Sequence, residues 1–278
     1  MPELPELEVV CEVLRRRVVG QTIDAVTLIQ PGAAILVRDL TASQFDVALT
    51  GTTIETVARR GKFVIFNLAK PYTALHLAIN PKLTGRLQLA APTEKKLPKT
   101  HVICALSNGL DLRYLDQKTM GQLYLTADLS QVPDHATLGP EPFDVSLDQF
   151  RERLRPYRGE IKGILVRGEF LAGIGNAYAD EILWVAKIHP YRKRTALTPD
   201  EIERLYDAML STLREAIDKV RAEMGEAIHR EPRDFMAIHM KAGRPCPRCG
   251  TTISQVSANQ RITNFCRTCQ PGGLIKGM

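Results

Sequence analysis

No apolar run in this 278-residue chain approaches the roughly 18 residues needed to cross a bilayer. The first residues, "MPELPELEVV", are acidic and amphipathic rather than basic and then apolar, so no secretory signal is expected. Neither an internal repeat nor a low-complexity segment is visible. Cysteine is scarce: there are six, and four of them cluster near the C-terminus. That clustering argues for metal rather than disulfides in a reducing compartment. Together these absences place the chain in the cytoplasm, outside membranes and outside the disulfide-stapled secreted class.

What is present is an ordinary globular composition, 44% hydrophobic, long enough for two domains. Lys plus Arg less Asp plus Glu is 37 − 31 = +6. A basic balance permits a polyanion partner without requiring one. Residues 3–19 read as a helix, with Leu7, Val10, Cys11, Leu14 and Val18 on one stripe and Gly20 as its stop. From about 21 to 130 the texture is short β-rich runs broken by Gly, Pro and Asn, as in a sandwich or barrel. Beyond "ATLGPEPFD" it turns helical, ending in a long helix with Thr198 as N-cap and Pro199 at its first position. The expected fold is therefore α+β. Residues 1–132 form a β-rich domain led by a helix, 133–238 a helical domain, and 239–278 a cysteine-bearing hairpin.

Cys246-x2-Cys249 and Cys266-x2-Cys269 are separated by sixteen residues. Four thiolates from two tight turns close a tetrahedral site with no open position, so one structural Zn²⁺ is expected. Cys11 and Cys104 sit in apolar patterns and read as core. Between the cysteine pairs lies "NQRITNF", which puts Arg261 at a hairpin tip, where it could reach a phosphate or simply be solvated.

Four elements in order, "MPELPE", "RRGKF", "GIGNAYADE" and the four-cysteine hairpin containing "NQR", resemble the formamidopyrimidine-DNA glycosylase/endonuclease VIII family over the whole chain. The resemblance implies a helix-led β-sandwich, a helix–two-turn–helix domain with a zinc finger, and damaged double-stranded DNA bound between them by a monomer. It also implies a bifunctional DNA glycosylase/AP lyase of base excision repair. Met1 would be removed, and the Pro2 amine would attack C1′ of the damaged nucleotide, leading to an iminium and β,δ-elimination. Glu3 would be the general acid/base and Glu6 its support, although both also suit the positive end of a helix. Lys62, His76, Asn176 and Arg261 would meet phosphates, Asn176 while also capping its helix, with Lys162 a weaker candidate.

The sequence departs from the family in two places. Members that excise 8-oxoguanine carry a Met in a "HLGMSG"-like turn and an Arg–Arg–Phe run. Here "HLAINPKLTGRL", with extra residues, leaves Leu83 nearest the Met, and "LDQKTMGQL" puts Lys118 for the first Arg and Met120 for the Phe. The connection "GEAIHREPRDF" is also shorter than the loop that covers an extruded 8-oxoguanine. Weak 8-oxoguanine excision is expected. Two alternatives stay open: a glycosylase for alkylated or bulky adducts, and a noncatalytic damaged-DNA-binding protein, which would have no need of the Pro2–Glu3 pair.

Overall fold

The computed structural model describes residues 1–70, 73–258 and 261–272. In chain order the elements are α1 (Leu4–Val18), β1 (Ile23–Leu28), α2 (Gly32–Leu36), β2 (Val37–Asp39), α3 (Phe45–Leu49), β3 (Thr53–Arg60), β4 (Phe63–Lys70), β5 (Thr73–Asn80), β6 (Gly85–Ala90), β7 (Thr100–Leu106), β8 (Asp111–Asp116) and β9 (Gln122–Thr126). There follow α4 (Leu147–Leu154), α5 (Ile161–Leu165), α6 (Asn176–Val185), α7 (Pro199–Met224), β10 (Ser254–Ala258) and β11 (Arg261–Phe265). The architecture is α+β: a helix-led β-sandwich unit, then a helical unit that carries the zinc-finger hairpin.

The contacts group the chain into two units, Met1–Thr137 with Val220–Pro232, and Leu138–Lys219 with Arg233–Met278. The sequence reading separated the cysteine hairpin from the helices. The structure packs it with them, because side chains of α5 and α6 bond directly to its strands.

In the first unit one sheet runs β2-β9-β5-β4-β3 and the other β1-β7-β8-β6. All pairings are antiparallel except β2 with β9. α1 lays its stripe of Leu7, Val10, Cys11, Leu14 and Val18 against β3 and β4. Burial pushes the thiols of Cys11 and Cys104 up to about 12, so both stay neutral and pack as small apolar side chains.

In the second unit Ser146 caps α4 through a reciprocal pairing with Gln149. The same device opens α7, where the Thr198 hydroxyl accepts from the Glu201 N–H at 3.3 Å and the Glu201 carboxylate accepts from the Thr198 N–H at 2.9 Å. No helix among the described residues is long and apolar enough to cross a membrane.

Leu14 is fully buried at the centre of the α1 stripe. Leu14→Ala should lower the unfolding free energy by about 2–5 kcal/mol through the cavity it leaves. Urea denaturation followed by circular dichroism measures this, and an unshifted midpoint would mean that α1 is not docked.

Candidate active site and phosphate-binding groups

The N-terminus of α1 is built to hold the first three residues still. Glu3 is the N-cap, in extended conformation, and Glu3 and Glu6 form a capping box. The Glu3 N–H donates to Glu6 Oε2 at 2.8 Å. Both carboxylates are buried, at 1% exposure each. Pro2 is buried as well and lines a narrow pocket with Glu6, Val64, Ile79, Arg86 and Ile228. The pocket holds about 20 Å³, room for a water molecule but not for a nucleobase.

The amine of Met1 lies 3.1 Å from Glu231 Oε1, and Arg86 pairs with the other oxygen of that carboxylate. Glu231 and Arg86 are polar groups of this site that sequence reasoning missed. Glu231 stands in a polar connection without periodicity, and nothing along the chain links it to position 1.

Lys62 occupies a two-residue turn between β3 and β4, made possible by Gly61 at φ +57. Lys62 is half-buried and precedes by two residues Val64, which lines the pocket. His76 does not join it. It pairs across the sheet with Asn67, roughly 16 Å along β4 from Lys62 at the usual rise per residue. It also lies three residues from Ile79, so strand alternation turns it to the opposite face from the pocket. Its Nδ1 is engaged with Asn67 Oδ1 at 2.7 Å, and the Asn67 amide in turn donates to Thr56 at 2.6 Å. His76 therefore stands apart from Lys62 and from the pocket.

Leu83 and Met120 sit on two turns and are 41% and 48% exposed. Lys118 is exposed on the second of these turns, and its backbone N–H donates to Thr84 Oγ1 at 3.0 Å.

In the second unit the "GNAYADE" stretch begins α6. Gly175, not Asn176, is the N-cap, and Asn176 is the first helical residue. The expected capping role therefore passes to the backbone. The Asn176 amide donates to the Ile262 carbonyl at 2.7 Å, while its Oδ1 is buried without a hydrogen-bond partner. Lys162 is corrected too. Its ammonium is buried, 2.6 Å from Asp180 Oδ1, 2.9 Å from the Thr263 hydroxyl and 3.0 Å from the Ile262 carbonyl. A cation held in this way supports the fold and is not offered to a phosphate. Asp180 also accepts from the Asn264 N–H at 3.2 Å and contacts His239 Nδ1 at 2.9 Å. Glu181 accepts from the N–H groups of Ala237, Ile238 and His239 at 2.8–2.9 Å. The Lys162, Asn176 and Asp180 bonds fix Ile262, Thr263 and Asn264 of β11, the residues that Arg261 precedes. The Arg261 side chain lies outside the described residues, as do Asn259 and Gln260.

The Sγ atoms of Cys246, Cys249, Cys266 and Cys269 all lie within 4.8 Å of one another. The Cys249–Cys266 and Cys246–Cys269 separations are 3.4 and 3.9 Å. A tetrahedron with zinc–sulfur bonds of about 2.3 Å has edges of about 3.8 Å, so the four fit one zinc ion with no open position. The Thr251 hydroxyl, with help from its N–H, lowers the Cys249 thiol to about 6, which favours the thiolate form. The Thr251 and Thr268 hydroxyls tie the two knuckles together at 2.8 Å. Trp184 packs on this cluster, and the Arg248 guanidinium lies 4.0 Å over its ring.

The comparisons agree with this layout. Residues 1–123 match the formamidopyrimidine-DNA glycosylase N-terminal domain, 138–226 its H2TH domain, and 243–272 a zinc finger found in FPG and IleRS. A formamidopyrimidine-DNA glycosylase of Pelotomaculum thermopropionicum is 35% identical to this chain, over 97% of it and 99% of the relative. One from Bacillus cereus is likewise 35% identical, over 98% and 99%. The Lactococcus lactis enzyme in complex with abasic-site DNA superposes with a TM-score of 0.84 at 31% identity, covering 97% of this chain and all of that one.

The zinc site yields a direct measurement. Freshly purified protein should contain one Zn²⁺ per chain by metal analysis. Because Trp184 is the only tryptophan and packs on the cluster, chelation should change its fluorescence, and added zinc should restore it. Metal-free protein with an unaltered emission spectrum would show that the cysteines bind nothing.

Proposed function

The chain belongs to the formamidopyrimidine-DNA glycosylase family, and from that premise we propose which of its own residues carry the reaction. The protein is a DNA glycosylase of base excision repair with AP lyase activity, and it holds one structural zinc ion. Its nucleophile is the Pro2 amine, exposed once Met1 is removed. The amine lone pair attacks C1′ of the damaged nucleotide. The glycosidic bond breaks toward the base, which leaves with that electron pair and a proton, and nitrogen gives up its own proton. Sugar ring opening then yields the iminium. This acidifies the C2′ proton, and its loss expels the 3′ phosphate; the conjugated iminium so formed acidifies the C4′ proton, whose loss in a second elimination expels the 5′ phosphate.

Glu3 passes these protons, while Glu6 holds the Glu3 backbone in place. The observation that carries this reading is the burial of Pro2, Glu3 and Glu6 at a capped helix end, where Pro2 and Glu6 line one pocket. A chain-terminal amine has a reference pKa of about 7.7–8.0, below that of lysine, which suits a nucleophile near neutrality. Glu231 receives the amine of the uncut chain, and after Met1 is lost it lies within one residue of the nucleophile.

Lys62 and Arg261 neutralise backbone phosphates, and Asn176 adds a neutral donor at the start of α6. Leu83 and Met120 enter the space left by the extruded base, with Lys118 beside them. Extrusion costs a few kcal/mol, least for bases that stack or pair badly. A wedge without an aromatic ring suits ring-opened purines, oxidised pyrimidines and abasic sites better than well-stacked 8-oxoguanine. Chromosomal DNA is the substrate, which places the protein in the cytoplasm at the nucleoid.

A panel of lesion duplexes treated with borohydride tests the nucleophile and the lesion together. Trapping should be efficient on abasic, ring-opened and oxidised-pyrimidine DNA, and weaker on 8-oxoguanine opposite cytosine. An N-terminal tag that retains Met1 should abolish it, and Pro2→Gly should keep part of it. Efficient trapping by the tagged protein would move the nucleophile to a lysine.

Phosphate contact is read separately. Lys62→Ala should weaken binding to all sequences alike and reduce the slope of log K against log salt by about one. An unchanged slope in fluorescence-anisotropy titrations would remove Lys62 from the interface.

A further inference from the structure

Asp116 ends β8 and is fully buried. Its carboxylate gathers two separate turns. Oδ1 accepts from the Thr84 hydroxyl and from the Lys118 N–H at 3.1 Å. Oδ2 accepts from the N–H groups of Met120 at 2.9 Å and Gly121 at 2.7 Å. Thr84 follows Leu83, so one buried anion is bonded to both turns whose tips carry the exposed apolar side chains.

Two further features mark the pair as one built object. Lys82 and Thr119, each immediately before a tip, have left-handed backbones at φ +48 and +51. Residues other than glycine adopt this conformation uncommonly, and a β-branched one such as Thr119 at a cost. Gly85 and Gly121, each just past a tip, approach the Tyr114 hydroxyl so closely that a Cβ at either position would collide with it. The two turns therefore share a floor, Tyr114, and an anchor, Asp116. Exposed single apolar residues need no explanation by themselves. Two of them raised on strained turns from a common buried carboxylate do.

We propose that Asp116 is a positioning residue for base extrusion: it locks Leu83 and Met120 into a single rigid two-pronged wedge, so that both prongs enter the duplex together. This rests on the reading of Leu83 and Met120 as the void-filling side chains. Without the carboxylate, each tip would have to pay its own ordering entropy on insertion. The lock therefore acts on lesions that still hold a base and leaves chemistry at an abasic site aside.

The experiment is a mutant cycle read by single-turnover rates on a base-containing lesion and on a preformed abasic site, with 2-aminopurine beside the lesion to report extrusion. Asp116→Asn keeps the volume but turns an amide group toward backbone donors. It should lower the ratio of base excision to abasic-site cleavage at least tenfold and slow the 2-aminopurine signal in proportion. Thr84→Val cuts only one strut and should give a smaller drop, about threefold. In a Leu83→Ala/Met120→Ala background, Asp116→Asn should add no further loss, since there is no wedge left to position.

If Leu83→Ala/Met120→Ala excises bases at the wild-type rate, the wedge reading itself fails. If that variant is slow but Asp116→Asn leaves the ratio unchanged, or slows the double variant further, the wedge stands and the Asp116 lock is wrong. Equal loss of both activities in Asp116→Asn and Thr84→Val would make the carboxylate a general stability element and overturn the proposal as well.

Discussion

The structure depends first on immobilising a chain end. N-termini ordinarily fray, yet here residues 2 to 7 are all buried. The capping box between Glu3 and Glu6 satisfies the donors at the helix start, and the apolar stripe of α1 fixes the helix axis on β3 and β4. An amine used as a nucleophile must approach carbon along a defined path, and a capped, packed helix end supplies that definition without a separate loop.

Buried carboxylates do the same kind of organising work elsewhere in the chain. Glu6 holds one N–H, Asp116 three N–H groups and a hydroxyl, and Glu181 three N–H groups of the 237–239 strap. Each bond is charge-assisted and therefore stronger than one between neutral groups. Removing any of these acids would strand backbone donors that burial has already cut off from water. Asp180 differs, because it answers a buried cation, Lys162, and so ties α5, α6 and β11 into one body. The zinc cluster finishes what those bonds begin, holding the other end of the hairpin on which Arg261 stands.

Much of the fold was legible along the chain. The α1 stripe, the strand-rich middle, the Thr198–Pro199 start of α7 and the paired Cys-x2-Cys knuckles are all local or periodic patterns. Each is dictated by backbone propensity, capping or metal geometry within a few residues. Some site residues were not legible in their roles. His76 and Lys62 look equivalent in sequence, each a basic residue beside an apolar run. Strand register then puts His76 opposite Asn67, well along β4 from the turn that holds Lys62. Lys162 looked like an available cation until burial beside Asp180 assigned it to the fold. Glu231 looked like one more acid in a polar connection until folding brought it to the Met1 amine.

By itself, then, the sequence determined the family, the order of elements, the zinc ligands and the Pro2–Glu3 pair, because each is written in contiguous residues. Only the tertiary structure decided which charges are spent inside the fold and which remain available to a ligand. The same held for the coupling of Leu83 to Met120 through Asp116, whose partners lie more than thirty residues apart, from Thr84 to Asp116. Hydrogen bonding and burial are settled by neighbours in space, and along one chain nothing marks which acid will end beneath which turn.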